Sequence, residues 1–357
     1  MISDRLEKIR AFLDEKNLDG IIVNKLENLH YFSGFTGDDT MLVIMGASAV
    51  LVTDFRYTEQ AAKEAPNFEI AEQKEGLLTK VADVIRKAGM DGKRIGIEGK
   101  ALVYVHFLRF QELLPKAVLV PVELDSLRQV KEAEELAKIR RAVAISDKAF
   151  EDVLTYLRPG LTEIEVAAHM ENCMRMLGSE RPAFATIVAS GIRGSLPHGT
   201  ASEKTIAPGE FVTMDFGAVY RGYHSDITRT VCIGFADEKQ RNLYEVVLQS
   251  QLLGERLVRP GVGGKAVDKE VRDFLERAGY GEHFGHGLGH SLGLEIHEEP
   301  RLSPSSKCEH LEPNMLVTVE PGVYLPGWGG LRIEDTVLVT EDGCEPLTQS
   351  RKELIEL

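Results

Sequence analysis

Apolar and polar positions in the first 122 residues form blocks that switch between helical and strand periods. Leu6, Ile9, Phe12 and Leu13 share one face of a helix that Ser3 can cap and that runs to about Asn17. Short apolar runs at Gly20–Val23, Met41–Met45 and Ala49–Thr53 predict strands, the last two joined by a turn at Gly46. Residues 77–88 read as a helix, 94–97 as a strand, 101–114 as a helix and Val118–Val122 as a final strand that contains Pro121. This is an α/β domain without a glycine-rich phosphate loop. A charged helix follows over residues 131–157, with Glu132, Glu134 and Glu135 where the helix dipole favours acid. The boundary is expected between 122 and 130, dividing the chain into residues 1–124 and 125–357.

The second part carries a weak repeat. Arg158-Pro159-Gly160 recurs 101 positions later as Arg259-Pro260-Gly261, and the helices that follow stop at Gly178 and Gly279. Each half then runs through a Gly- and His-containing stretch into paired strands, which predicts a duplicated α+β unit.

Within those strands acids sit at unusual places. In Phe211-Val212-Thr213-Met214-Asp215-Phe216-Gly217, Val212, Met214 and Phe216 point one way and Asp215 the other. A turn at Arg221-Gly222-Tyr223 leads to Asp226, so a hairpin would bring Asp215 and Asp226 together. The competing reading is the solvent-facing side of an edge hairpin. Leu316-Val317-Thr318-Val319-Glu320 repeats the arrangement, and after the Gly327–Gly330 turn Arg332 and Glu334 share a face opposite Leu331 and Ile333. Carboxylates on apolar strands are costly unless paired or metal-bound. Four in corresponding places point toward chemistry.

Of the ten histidines, six fall between His198 and His297. His286 and His290 have i, i+4 spacing, but the surrounding glycines argue against a helix, and no Glu follows His286 as a zincin motif requires. One imidazole with several carboxylates suits hard or borderline divalent ions such as Mn²⁺, Co²⁺ or Zn²⁺, and a shared carboxylate set favours two of them.

Composition narrows the class further. The chain has 357 residues and a formal charge of −14, which excludes nucleic-acid binding through overall charge. Its four cysteines are scattered and form no CxxC pair, so neither a disulfide framework nor a Cys-zinc site is expected. The N-terminal stretch is charged and amphipathic rather than a signal peptide, and no apolar run nears the roughly 20 residues that span a bilayer. A cytoplasmic protein without membrane partners is the expectation.

These motifs resemble the metallopeptidases that include prolidase, aminopeptidase P and methionine aminopeptidase, which have the "pita-bread" fold. Residues 286–298 fit the proline-peptidase signature at every constrained position, and the Asp, Asp, His, Glu, Glu ligand series appears in order as Asp215, Asp226, His290, Glu320 and Glu334. Tyr31-Phe32-Ser33-Gly34-Phe35 and Thr53-Asp54-Phe55-Arg56-Tyr57 are similar to the N-terminal domain of prolidases, aminopeptidases P and creatinases, a domain that methionine aminopeptidases usually lack. The resemblance covers nearly the whole chain. It implies an α/β N-terminal domain followed by an α+β pita-bread domain with pseudo-twofold symmetry.

It also implies a mechanism. Asp226 and Glu334 would bridge two divalent metal ions, with Asp215 completing one site and His290 and Glu320 the other; Mn²⁺ is favoured over Co²⁺ or Zn²⁺. The pair would hold a water or hydroxide as nucleophile. Glu320 would shuttle the proton to the leaving nitrogen. His198 and His297 match residues that position the scissile carbonyl and stabilise the tetrahedral intermediate. His286 matches a pocket histidine, and Arg332 would orient the metal-bound carboxylates. Arg301 is expected to take the free carboxylate of a dipeptide, an ordinary surface role being the alternative. His224, beside Asp226, is expected to point away from the site, and His169 to be structural. Trp328 either lines the pocket or only packs.

The substrate implied is a proline-containing di- or oligopeptide cut at its Xaa-Pro bond, with a dipeptidase (prolidase) preferred to an aminopeptidase P, and a homodimer is expected. A metal-free creatinase-type hydrolase and a non-catalytic binding module share the fold. Both are disfavoured because all five ligand positions carry ligand residues.

Overall fold

A computed structural model describes residues 2–357, which separate into two compact units after Arg128. The first unit holds helices α1 (Ile2–Glu15), α2 (Leu26–Ser33), α3 (Thr58–Glu64), α4 (Leu77–Lys87) and α5 (Tyr104–Leu113). Its strands are β1 (Gly20–Val23), β2 (Met41–Met45), β3 (Ala49–Thr53), β4 (Glu69–Glu72), β5 (Arg94–Glu98) and β6 (Val118–Val122). They form one mixed sheet in the order β4-β3-β2-β1-β5-β6. Ile22, Val43, Val52, Val81, Ile85, Ile95 and Phe110 make its core. Pro121 is tolerated because β6 is an edge strand.

Three of these elements carry little hydrophobic periodicity. In α2, Asn28, Leu29, Tyr31, Phe32 and Ser33 are all buried, so no single apolar stripe marks the helix. Gly34 ends it at φ 79° by donating its N–H to His30 O. Helix α3 has seven residues, and β4 is a polar edge.

The second unit begins with helices α6 (Ala133–Tyr156) and α7 (Glu163–Met176). Glu132 and Glu135 form a capping box that starts α6, and Thr162 and Glu165 do the same for α7. Strands β7 (Ile187–Ser190), β8 (Phe211–Phe216), β9 (Val219–Tyr220), β10 (Tyr223–His224) and β11 (Ile227–Cys232) complete the first half. The second half has helices α8 (Glu238–Leu257) and α9 (Gly264–Arg277), then β12 (Gly289–Ser291) and β13 (Glu298–Leu302). Its last strands are β14 (Leu316–Val319), β15 (Gly322–Leu325), β16 (Gly329–Arg332), β17 (Asp335–Val339) and β18 (Cys344–Pro346).

The internal repeat is real in three dimensions. Two helices precede two nested hairpins in each half: β8 pairs β11 inside and β9 pairs β10 at the tip, as β14 pairs β17 inside and β15 pairs β16 at the tip. Gly178 and Gly279, 101 positions apart, end the second helix of each half at φ 104° and 85°. Each half has its own core. Val212, Met214 and Phe216 pack with Phe150, Val166 and Met170; Val317 and Val319 pack with Leu243, Val247 and Val271. Fully burying each such side chain contributes about 1.5–3 kcal/mol, which fixes the strand faces and leaves the opposite face free for polar groups.

The expected single hairpins are therefore corrected to nested ones. Of the four expected strand carboxylates only Asp215 lies within a strand. Asp226 and Glu334 stand immediately before β11 and β17, and Glu320 immediately follows β14. The breaks between inner and outer pairs free backbone at these positions, so the carboxylates aim inward without costing ladder hydrogen bonds.

Candidate metal centre

The ten residues expected as ligands, catalytic groups or substrate contacts all line one cavity of about 930 Å³ in the second unit. Asp215, Asp226, His290, Glu320 and Glu334 lie in it with Arg332, while His198, His286, His297 and Arg301 stand around them. Phe184, Ile187, Pro197 and Ile296 add an apolar wall.

Asp215, Asp226 and Glu334 each offer a carboxylate oxygen to a cluster whose members lie within 4.8 Å of one another. Asp226 and Glu334 are buried. Burial, then the charges of Glu334 and Asp215, hold the Asp226 carboxyl well above the usual carboxylate range. Burial, then Glu320 and Asp215, do the same to Glu334. Both shifts mark acids crowded in a buried space, where ionisation is costly without further positive charge. Asp215 Oδ1, Asp226 Oδ1 and Glu334 Oε1 are buried without any hydrogen-bond partner. Orphaned oxygens of this kind fit divalent cations.

His290 stands beside the cluster on β12. Its Nδ1–H donates to Ser291 O at 3.0 Å, which sets the tautomer and leaves a lone pair on Nε2. That Nε2 lies 3.5 Å from Asp226 Oδ2 and 3.4 Å from Glu320 Oε1. Burial lowers the ring's pKa to about 3, so an uncharged imidazole turns its free nitrogen to these carboxylates. The approach depends on Gly289: a Cβ there would meet Thr318 O at 1.9 Å. With no side chain in the way, Thr318 Oγ1 accepts from His290 N at 3.0 Å and donates to Glu320 Oε1 at 3.1 Å, tying the two residues together. Burial pushes the Glu320 carboxyl up to about 7, with Arg332 opposing and Asp215 adding to the shift.

Arg332 donates from Nη2 to Asp215 Oδ2 at 2.5 Å, from Nε to Thr228 Oγ1 at 3.1 Å and from Nη1 to Tyr324 Oη at 2.7 Å. Thr228 in turn donates to Glu334 Oε2 at 2.6 Å. Tyr324 Oη donates a hydrogen bond to His286 Nε2 at 2.9 Å, because His286 Nδ1–H is committed to Gly287 O at 2.8 Å. Burial lowers His286 to about 4, so it stands neutral in this chain. Thr228, Thr318 and Tyr324 were not singled out from the sequence. Each is an ordinary strand residue by pattern, and only its partners across the fold reveal it.

The remaining histidines divide as follows. His198 is exposed on a loop at the cavity edge. His297 faces the cavity with its ring set edge-on to His290, centroids 4.5 Å apart. His224 is buried outside the cavity lining, its Nδ1 bonded to Gly293 O at 3.1 Å. Strand alternation alone would have put it on the face of Asp226, two residues on; the break after β10 turns it away. His169 stacks on Tyr156 and pairs with Asp152. Trp328 does not line the cavity: it packs edge-on against Phe211 and borders a separate hollow of about 250 Å³. Arg301 lies on the wall of the main cavity, its side chain half exposed and its Nε 3.5 Å from Glu299 Oε1.

No helix among the described residues is long and apolar enough to cross a membrane. Residues 5–130 match the family model of the Creatinase/Prolidase N-terminal domain, and residues 137–341 match that of metallopeptidase family M24. An Xaa-Pro dipeptidase from Pyrococcus furiosus is 38% identical over 99% of this chain and 100% of its own length. The solved structure of an Xaa-Pro dipeptidase from Bacillus anthracis is 42% identical, with a TM-score of 0.97 over 100% of both chains. That of an X-Pro aminopeptidase from Thermotoga maritima is 37% identical, with a TM-score of 0.89 over 96% of this chain and 98% of its own. The two-unit architecture, its duplicated second half and the carboxylate cluster between the halves are thus those of the pita-bread enzymes, and the chain belongs to metallopeptidase family M24.

Proposed function

We propose that this chain hydrolyses Xaa-Pro peptide bonds as a dipeptidase, using two divalent ions held by Asp215, Asp226, His290, Glu320 and Glu334. The observation that carries the reading is the set of three orphaned buried carboxylate oxygens beside a neutral imidazole whose free nitrogen lies 3.5 Å from Asp226 Oδ2 and 3.4 Å from Glu320 Oε1. When bound, such a pair supplies Lewis acidity toward a carbonyl oxygen and lowers the pKa of water. The other tasks fall to side chains.

An Xaa-Pro bond is a tertiary amide without an N–H, and its proline nitrogen departs only after gaining a proton. Glu320 takes the proton of the attacking water and returns it to that nitrogen. His198 and His297, at the cavity edge, hold the scissile carbonyl and the charge that develops on it. Arg332 keeps Asp215 oriented, and Tyr324 holds His286 in place as the pocket histidine. The ligand set is rich in carboxylates, which favours Mn²⁺, while Co²⁺ or Zn²⁺ would also be accepted.

Arg301 supports the dipeptide reading, because a guanidinium on the cavity wall can take a free carboxylate. An aminopeptidase P is the second reading, favoured by the similarity to the Thermotoga enzyme and by the half exposure of Arg301. One Mn²⁺-loaded preparation tested on Xaa-Pro and Xaa-Pro-Yaa decides between them. Preference for the dipeptide, with Arg301→Ala impairing only that substrate, is expected; preference for the longer peptide reverses the assignment. A homodimer working in the cytoplasm on proline-containing peptides, with residues 1–124 and 125–357 as functional domains, completes the proposal. Sedimentation of the full chain tests the dimer.

A further inference from the structure

Next to the carboxylate cluster, but outside the cavity lining, lie four charged side chains that no step above uses. Arg229 Nη2 and Asp335 Oδ1 are 2.7 Å apart, and both side chains are 1% exposed. Lys352 Nζ lies 2.7 Å from Asp335 Oδ2 and 2.9 Å from Glu255 Oε2. The quartet pairs two cations with two anions. A buried set of this kind adds little net stability compared with apolar residues of the same volume, so its presence points to positioning.

What it positions is visible in the backbone. Arg229 follows Thr228, whose hydroxyl holds Glu334, and Asp335 follows Glu334 itself. Arg229 Nη1 donates to the carbonyls of Glu334 and Thr228, the latter at 3.0 Å. Thr336 Oγ1 donates to Asp226 O at 2.9 Å. The carbonyls of both proposed bridging residues are therefore gripped by side chains of this layer. Residues 348–352 close it in turn. Ser350 O accepts from Arg229 Nη2 at 2.6 Å and Arg351 O from Arg229 Nε at 3.1 Å, while Thr348 Oγ1 donates to Asp335. Asp147 anchors this segment by accepting from Gln349 N at 3.0 Å and Ser350 N at 2.9 Å.

We propose that Lys352, acting through Asp335 and Arg229, is a positioning residue for Glu334, so that the segment 348–352 sets the affinity of the centre for divalent cations. Removing the Lys352 charge leaves Asp335 and Glu255 facing each other, with Arg229 paired to Asp335 alone. Asp335 then shifts, and the Glu334 backbone moves with it. A ligand displaced by a fraction of an ångström binds a cation more weakly even when its own side chain is intact. The inference rests on Glu334 being a ligand.

The test is Mn²⁺ binding to chelator-stripped full-length protein, read by electron paramagnetic resonance of the free ion, with thermal melting in parallel. Lys352→Met is expected to weaken at least one Mn²⁺ site about tenfold or more, and Lys352→Arg to restore it to within about threefold of the parent. Mn²⁺ affinity unchanged in Lys352→Met overturns the proposal, whatever happens to the melting temperature, because a merely structural role moves melting alone. Should Lys352→Met not fold, Thr348→Val removes a single hydrogen bond to Asp335, and the same two outcomes decide. A parent protein that binds no Mn²⁺ removes the ligand reading as well. A parent that binds two ions, matched by both variants, removes this proposal only.

Discussion

Arg332 uses three different nitrogens to reach Asp215, Thr228 and Tyr324, and no other residue type carries that fork. Arg332→Lys keeps the charge and loses the geometry. Activity on an Xaa-Pro dipeptide at saturating Mn²⁺ should fall about 10–100-fold, as steady-state kinetics will show. Glu320→Gln separates two roles of one side chain: it can still offer an oxygen to a cation but cannot carry a proton. The expected outcome is a drop in kcat of about 10²–10⁴ with KM little changed. His224 is set apart by its environment. Burial lowers it to about 4, mainly by desolvation, while the unfolded chain titrates near 6.5. Between those values the unfolded state binds the extra proton, so native stability falls as pH falls through the window from about 6.5 to 4. His286, lowered to about 4 by burial, adds in the same direction. Urea midpoints measured across that range should show a shallower pH slope in His224→Gln. A slope equal to the parent's would mean that His224 titrates normally in the fold.

At the scale of elements, close approach of backbones decides whether the ligands meet. Strand β12 lies against β14 because Gly289 has no Cβ to strike Thr318 O. Gly289→Ala should push His290 away from Glu320, destabilise the fold by several kcal/mol, and weaken metal binding beyond what the loss of stability explains. Denaturant unfolding with and without Mn²⁺ measures both effects. The same scale shows where sequence pattern stops being informative. Strands β1, β2, β3 and β6 were bounded to the residue by their apolar runs. Helix α2 was missed because it is buried on several sides and shows no single stripe. The split of each hairpin into inner and outer pairs was missed because a polar residue in an apolar strand and a polar residue at a strand break look alike in one dimension.

For the whole molecule, the carboxylate cluster is a liability without cations and an anchor with them. Chelation should lower the melting temperature, and the melting temperature should rise with Mn²⁺ concentration, by an amount equivalent to about 2.7 kcal/mol at a hundredfold excess over Kd. A melting curve indifferent to both chelator and Mn²⁺ would contradict the ligand set. The proposed ligands come from both halves of a duplicated unit, so no single segment holds the proposed site.

The sequence by itself determined the chemistry on offer: the apolar runs of β1, β2, β3 and β6, the acids set among apolar residues, and that His290 stood among glycines rather than on a helix. Those properties are local, since period, residue type and spacing are written in one dimension. Tertiary structure alone decided the rest. It selected which nitrogen of His290 is free, through Ser291 O. It recruited Thr228, Thr318 and Tyr324, sent His224 and Trp328 elsewhere, and set the Arg229–Asp335–Lys352–Glu255 layer beside the ligands. These depend on contacts between residues up to about a hundred or more positions apart. Their energies arise only once burial has removed the water that would otherwise satisfy each group separately.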